Sequence, residues 1–179
     1  MIFQDVIDFW FKEIEPSSWW TKDTVCDIEI ADRFLQVHEA ARQCELMHWR
    51  KTPSGRLAEI IILDQFSRNM YRDTPQAFLY DGIALALAQE AIALGADKTL
   101  TPIEKSFLYM PFMHSESLVI HEKAVALYKA NGIANNLDFE LKHKEIIERF
   151  GRYPHRNIIL NRESTTEEIE FLSKPNSSF

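Results

Sequence analysis

Apolar residues recur at helical spacing along most of this chain, and this pattern constrains its fold more than any other feature. In the first segment, Phe3, Val6, Ile7, Trp10 and Ile14 form one stripe, as the 3.6-residue period of an α-helix requires. The Asp-Gly and Asn-Gly pairs lie inside or at the end of helical patterns, so they do not indicate β-hairpins. The sequence therefore predicts an all-α fold.

Short polar and proline-containing segments divide the pattern into separate helices. Thr101-Pro102-Ile103-Glu104 is typical of a helix start, because Thr caps the helix, Pro fits its first turn and Glu completes a capping box. Pro111 is expected to split the segment that follows, since its ring clashes with the carbonyl group four residues back. The other expected helices are residues 3–14, 24–47, 56–69 and a last short helix from a Ser164 cap to Leu172, with stops at Gly95, Gly132 and Gly151.

Size and charge narrow the class of protein. A chain of 179 residues, 46% of them hydrophobic, can bury one core, so we expect a single domain over residues 1–179 with a frayed tail from about residue 174. The net charge of −7 argues against a nucleic-acid-binding surface. The first fifteen residues contain four acids, unlike a signal peptide, and no apolar run could span a membrane. We therefore expect a cytoplasmic protein with no membrane contact.

Three polar clusters interrupt the apolar helices: residues 63–73, residues 110–116 and residues 149–157. The third cluster places three guanidinium groups, an imidazole and an amide around a glycine and a proline. Guanidinium groups match the oxygens of carboxylates and phosphates two at a time. The partners of these arginines are therefore either an anionic ligand or the protein's own acids.

The three clusters resemble the hallmark segments of the mainly bacterial family of unknown function numbered 924, and the resemblance extends from Val6 to Leu172. It implies a tetratricopeptide-like α/α superhelix of antiparallel helices, but no reaction, cofactor or partner. Residues 89–94 and 122–127 also match at an offset of 33, near the tetratricopeptide period of about 34. The departures from the family pattern are Ser67, His121, Tyr153 and Asn161, where proline, glutamine, phenylalanine and glycine are expected.

A small polar pocket is the leading functional prediction. We expect Arg152 and Arg156 to clamp an anionic group of a metabolite, and Arg68, Asn157 and Glu116 to orient it. Together these residues predict a binding site for a small anion. Hydrolysis or transfer on a phosphate- or carboxylate-bearing metabolite is the reaction class that such a site would support.

Three side chains are candidates for acid–base catalysis in this pocket. His155 lies beside Arg156, which would keep the imidazole neutral and available as a general base, and His114 has Glu116 nearby. Each histidine can instead be a structural hydrogen-bonding group. Asp64, four residues before Arg68, has the spacing of an intrahelical ion pair and is a further candidate for the ligand site.

The alternative is an interaction scaffold, in which the helices form a concave surface for a peptide and the three clusters hold them in register. The partner is therefore either a small anionic molecule or a peptide, and the sequence leaves the oligomeric state open. No metal site and no cofactor are expected, because His114 and His121 would be separated by about 10.5 Å along a helix. The common zinc, phosphate-binding and nucleophile motifs are missing from the sequence.

Overall fold

The computed structural model describes residues 1–175 and 177, and the regular structure in these residues is entirely helical. The predicted all-α fold is confirmed. The α-helices are α1 (Phe3–Asp8), α2 (Thr24–Arg42), α3 (Pro53–Ile61), α4 (Ser67–Met70), α5 (Asp81–Ala93), α6 (Pro102–Met113), α7 (Leu118–Asn131), α8 (Ala134–Phe150) and α9 (Thr166–Leu172). Two π-helical segments, Phe9–Glu13 and Ile62–Phe66, and five short 3-10 helices connect or extend them.

A long central helix organises the core. Helix α3 continues through the π-helical segment Ile62–Phe66 into α4, and α3 packs against α1, α5 and α6. Residues 57–67 of this helix are all buried, as is typical of a helix that is apolar around most of its circumference. Its buried Glu59 accepts two hydrogen bonds from Arg50, of 2.7 and 2.6 Å, so this charge is paired.

The second half of the chain packs in sequence order. Helix α5 contacts α6, α6 contacts α7, and α7 contacts α8. The matching segments at residues 89–94 and 122–127 fall on α5 and α7, each of which packs against the helix that follows it. This is the pairing that two successive helical hairpins need, while the tetratricopeptide-like superhelix stays a prediction.

Several predicted helix limits need correction. The second helix ends at Arg42 and not near residue 47. The third helix begins at Pro53, earlier than the expected residue 56, and the hydroxyl group of Thr52 caps it by accepting a hydrogen bond from the backbone N–H of Gly55. Pro111 lies inside the last turn of α6, and the predicted division occurs after Met113. The last helix is capped by Thr165, one residue later than expected.

The glycine stops are confirmed, because Gly95, Gly132 and Gly151 all have a positive φ at the end of a helix. No helix among residues 1–175 and 177 is long and apolar enough to cross a bilayer. The predicted fraying of the tail concerns in part Asn176, Ser178 and Phe179, which lie outside the described residues.

Gly55 provides a test of the central helix. A Cβ atom at this position would lie 2.1 Å from the carbonyl oxygen of Trp49, whereas one at Gly82 would have open space around it. We expect Gly55→Ala to lower the free energy of unfolding by about 1–3 kcal/mol, as overpacking does. The matched Gly82→Ala variant should unfold at the same denaturant concentration as the wild type or a higher one. Equal midpoints for the two variants would contradict the close approach of Trp49.

Candidate functional site

The π-helical segment of the central helix carries the innermost carboxylate of the site. Asp64 is only 1% exposed, and its neighbour Gln65 donates a hydrogen bond to its Oδ2 atom. Its Oδ1 atom lies 2.7 Å from Nδ1 of His114 and 3.2 Å from Nη1 of Arg68. Insertion of a π-helical turn is common at functional sites, because it changes where consecutive side chains point.

The pKa of Asp64 is lowered in this environment. Burial alone would raise it, but the charge of Arg68 and the hydrogen bonds from His114 and Gln65 outweigh that effect. Asp64 is therefore an ionised carboxylate, and its Oδ1 atom can accept a hydrogen bond from the imidazole of His114.

Arg68 is held by protein acceptors through both of its terminal nitrogens. Its Nη1 and Nη2 atoms each lie 2.9 Å from one oxygen of Asp81, at the start of α5. Nη1 also donates to the backbone oxygen of Asp64 over 2.8 Å. The expected ion pair with Asp64 is present, and Arg68 therefore ties the central helix to α5.

His114 is held as a neutral imidazole with a defined orientation. Burial and the neighbouring Arg68 lower its pKa, and Asp64 offsets this only in part. A neutral ring that faces an ionised carboxylate carries its proton on Nδ1 and donates it to Asp64. Within residues 1–175 and 177, Nε2 of His114 has no hydrogen-bond partner, so this nitrogen can accept a proton from a ligand.

Among the described residues, Arg156 differs from the other arginines because it has a buried side-chain nitrogen without a hydrogen-bond partner. Its side chain is 7% exposed, and its one carboxylate contact within residues 1–175 and 177 is a 3.5 Å approach of Nη1 to Asp81. Nε of Arg156 is buried and has no hydrogen-bond partner in the part of the chain that the structure describes. The guanidinium lies 4.6 Å from the ring centres of both Phe78 and Tyr153. Burial and the nearby Arg68 lower its pKa.

Glu116 is held in place from two sides. Arg162 donates to its Oε2 and Oε1 atoms over 2.7 and 2.9 Å, and the backbone N–H of Tyr153 donates to Oε1 over 2.8 Å. Burial alone would raise the pKa of Glu116, but these hydrogen bonds outweigh it and the pKa is lowered. Glu116 is therefore an ionised group that fastens the segment after α8, which carries Tyr153 and Arg162, to the end of α6.

These side chains meet at one cavity of about 450 Å³. Of the predicted site residues, His114, Glu116 and Arg156 line it, while Asp64 and Arg68 support its wall through hydrogen bonds. Twelve residues line the cavity: Pro75, Phe78, Leu79, Asp81, Gly82, Leu85, Pro111, His114, Ser115, Glu116, Arg156 and Leu160.

The structure places the remaining predicted residues elsewhere. Arg152 does not join Arg156, because Glu168 accepts from it over 2.7 and 2.8 Å at a separate surface groove, and this pairing lowers the pKa of Glu168 to about 2. Asn157 is buried and bonds to Ser164 and Arg162, so it orders the C-terminal loop. The structure therefore does not bring Arg152 and Arg156 together, because they line different pockets.

His155 also lies outside the cavity lining. Burial and the charge of Arg156 lower its pKa to about 4, in the direction expected from its neighbours in the sequence. Its ring lies 5.5 Å from the ring of Tyr153. The cavity therefore has His114, and not His155, as its imidazole.

Net positive charge is not what distinguishes the site. Around the cavity, three guanidinium groups face three carboxylates: Arg68, Arg156 and Arg162, with Asp64, Asp81 and Glu116. The site is therefore close to neutral overall. Its distinguishing property is the weak pairing of the nearly buried Arg156, whose buried Nε lacks an acceptor among the described residues and whose contact with Asp81 is long.

Two departures from the family pattern lie next to each other. The hydroxyl group of Tyr153 is 3.2 Å from Nε2 of His121, and Nδ1 of His121 is 2.7 Å from Glu140. Burial raises the pKa of Glu140. This group lies behind the cavity wall, and no three His, Cys, Asp or Glu side chains of residues 1–175 and 177 converge as a metal site would require.

Comparison with known proteins identifies the family. The model of a bacterial protein family of unknown function, DUF924, matches residues 6–176. The chain belongs to the DUF924 family. A solved structure of a protein of unknown function from Agrobacterium tumefaciens is 39% identical to this DUF924 chain, covers 95% of it and 96% of its own length, and superposes with a TM-score of 0.90. A search of curated proteins finds none that is similar to the chain.

The sequence did not indicate a role for Asp81, which accepts a hydrogen bond from Arg68, or for Phe78, whose ring stacks on the guanidinium of Arg156. The acids that pair with these arginines come from outside the three polar clusters. Asp81 pairs with Arg68 and Arg156, and Glu168 pairs with Arg152. Asp81 carries one local signal, its place in the first turn of a helix, which does not indicate burial against an arginine.

The histidine tautomers are a test of the site geometry. His114 should carry its proton on Nδ1 at neutral pH, whereas His121 should carry one on Nε2, because this atom lies 2.8 Å from the carbonyl oxygen of Ser115. Long-range ¹H–¹⁵N NMR spectra distinguish the two tautomers. An Nε2–H signal for a neutral His114 would contradict the hydrogen bond to Asp64.

Stability should also depend on the protonation of His155. The unfolded chain protonates this residue below about pH 6.5, while the folded protein resists protonation down to about pH 4. Between these two pH values the unfolded state binds more protons than the folded state. The contribution of neutral His155 to the free energy of unfolding is therefore fully present above pH 6.5 and is lost as the pH falls to about 4. Unfolding free energies across this range should depend less on pH in His155→Gln.

The matched control for this measurement is His48→Gln, since His48 is exposed. The control should retain the pH dependence of the wild type. An unchanged pH dependence in His155→Gln would contradict the burial of this imidazole in the folded state.

Proposed function

We propose that the cavity binds a small acidic metabolite, and that Arg156 holds its anionic group. The observation that supports this most strongly is the nearly buried guanidinium of Arg156, whose contact with Asp81 is a long 3.5 Å approach to a carboxylate that already accepts from Arg68. A charge buried with so few hydrogen bonds is costly. Because Nε of Arg156 is itself closed off from solvent, an oxygen of a ligand would accept from the terminal nitrogens of the guanidinium.

His114 is the proton acceptor in this proposal. Its Nδ1 atom donates to Asp64, which fixes the ring and leaves Nε2 to face a ligand. This arrangement of a neutral imidazole oriented by a buried carboxylate suits a general base in hydrolysis or group transfer. Glu116 has no such role in the proposal, because Arg162 and Tyr153 occupy both of its oxygens.

The alternative of an interaction scaffold has support from a different set of contacts. Arg68 and Arg152 each pair with carboxylates from other elements, as expected if the polar clusters hold helices in register. We prefer the small-molecule proposal because the nearly buried guanidinium of Arg156 and the oriented imidazole of His114 line the same open pocket of about 450 Å³. A superhelical arrangement and a cytoplasmic location are part of the proposal.

A matched pair of arginine variants tests this function. Sodium salts of small carboxylates and phosphates should be screened by thermal shift, and the hits measured by calorimetry. Arg156→Met keeps the apolar stem that stacks on Phe78 but removes the donors, so we expect ligand affinity to fall roughly tenfold to a hundredfold, as loss of a charged hydrogen bond implies.

Arg152→Met is the control, because Arg152 pairs with Glu168 away from the cavity. It should bind the same ligands as the wild type, and circular dichroism should show that both variants remain helical. The proposal fails if no acid of a broad panel stabilises the wild type, or if folded Arg156→Met binds as well as Arg152→Met.

A further inference from the structure

The cavity lining combines apolar and polar side chains. Half of the lining residues have apolar side chains and are called the apolar wall here: Pro75, Phe78, Leu79, Leu85, Pro111 and Leu160. The polar lining residues are Arg156, His114 and Ser115, together with the two carboxylates Asp81 and Glu116. The guanidinium of Arg156 lies over the ring of Phe78, so the two sets meet. A ligand that fills this space must therefore contact apolar side chains as well as the guanidinium.

The carboxylates among the lining residues limit the charge of the ligand. Asp81 and Glu116 both line the cavity, and both are held in place by arginines that lie behind them. Arg156 is the lining residue with unfilled cationic donors in the part of the chain that the structure describes. One negative charge can pair with it, whereas a second charge on the ligand would face these carboxylates at close range.

The apolar wall limits the body of the ligand. Hydroxyl groups of a sugar or a second polar head would lie against phenylalanine, leucine and proline side chains that offer no hydrogen bonds. An aliphatic or aromatic body gains free energy from the same contacts, because it removes apolar surface from water. The shape of the site thus separates two kinds of small acid.

We infer that the ligand is a monocarboxylate with an apolar body, such as a medium-length aliphatic acid or an aryl acid, and not a phosphate ester, a dicarboxylate or a sugar acid. This inference rests on the proposed function, since it specifies the acid that Arg156 holds. The carboxylate pairs with the guanidinium, and the body lies along Phe78, Leu85 and Leu160.

A series of matched acids tests the class. Calorimetry at constant ionic strength should compare hexanoate and benzoate with adipate, gluconate and hexyl phosphate. We expect hexanoate and benzoate to bind the wild type at least tenfold more tightly than the other three. Tighter Arg156-dependent binding of adipate, gluconate or hexyl phosphate would overturn the class but leave the proposed function standing.

A wall variant gives a second, independent measurement. Leu160→Asn places a polar group of similar size in the wall, and Leu94→Asn makes the same change at a leucine that is 64% exposed and outside the cavity lining. Affinity for hexanoate should fall roughly tenfold in Leu160→Asn and stay unchanged in Leu94→Asn, as expected for an apolar contact.

Each remaining outcome is informative. Hexanoate binding that is equal in the two leucine variants would overturn the proposed apolar body. If none of the five acids binds the wild type, this inference fails, while the proposed function stands or falls with the broad panel of acids. If Arg156→Met binds hexanoate as tightly as the wild type, hexanoate would bind through the apolar wall alone, and the assignment of Arg156 as the partner of its carboxylate would be wrong.

Discussion

The carboxylate of Asp64 is the point at which the elements around the cavity are tied together. It lies on the central helix, accepts from His114 at the end of α6, and contacts Arg68, which in turn holds Asp81 at the start of α5. Removing one member of such a buried charge network leaves an uncompensated charge, which costs about 3–5 kcal/mol. The network therefore both stabilises the packing of three helices and fixes the orientation of the imidazole that faces the cavity.

Arg68 and Arg156 show how one carboxylate can produce two different environments. Both guanidinium groups approach Asp81, but Arg68 takes both of its oxygens at 2.9 Å and leaves Arg156 with a contact of 3.5 Å. The guanidinium of Arg156 stacks on the rings of Phe78 and Tyr153, and this offsets part of the cost of burying it, since aromatic faces attract cations. Arg156 is therefore a desolvated cation that makes few hydrogen bonds within the described residues.

Local features of the structure could be predicted from the sequence because they depend on neighbouring residues. The glycine stops and the capping box at Thr101 follow from backbone conformation and from side chains within one turn. The spacing of Asp64 and Arg68 likewise indicated their ion pair.

Features that depend on tertiary packing could not be predicted in this way. The π-helical segment Ile62–Phe66 is not marked by any local pattern in the sequence. The family resemblance indicated which polar clusters belong together, but not that Arg152 would pair with Glu168, sixteen residues later. Whether an arginine lacks acceptors depends on acids that are distant in the sequence. The sequence alone therefore could not show that Arg156, and not Arg152, lines the cavity with weakly paired donors.

The attachment of the segment that follows α8 has a thermodynamic consequence. This segment carries Arg156 and Leu160, which line the cavity, and a pair formed by its Arg162 with Glu116 fastens it to the end of α6. Its Tyr153 packs with Ile146 and Ile147 of α8 in a small apolar cluster separate from the main one. A ligand in the cavity would contact this segment together with the start of α5, so occupancy would protect the segment from local opening while the central helix would gain little.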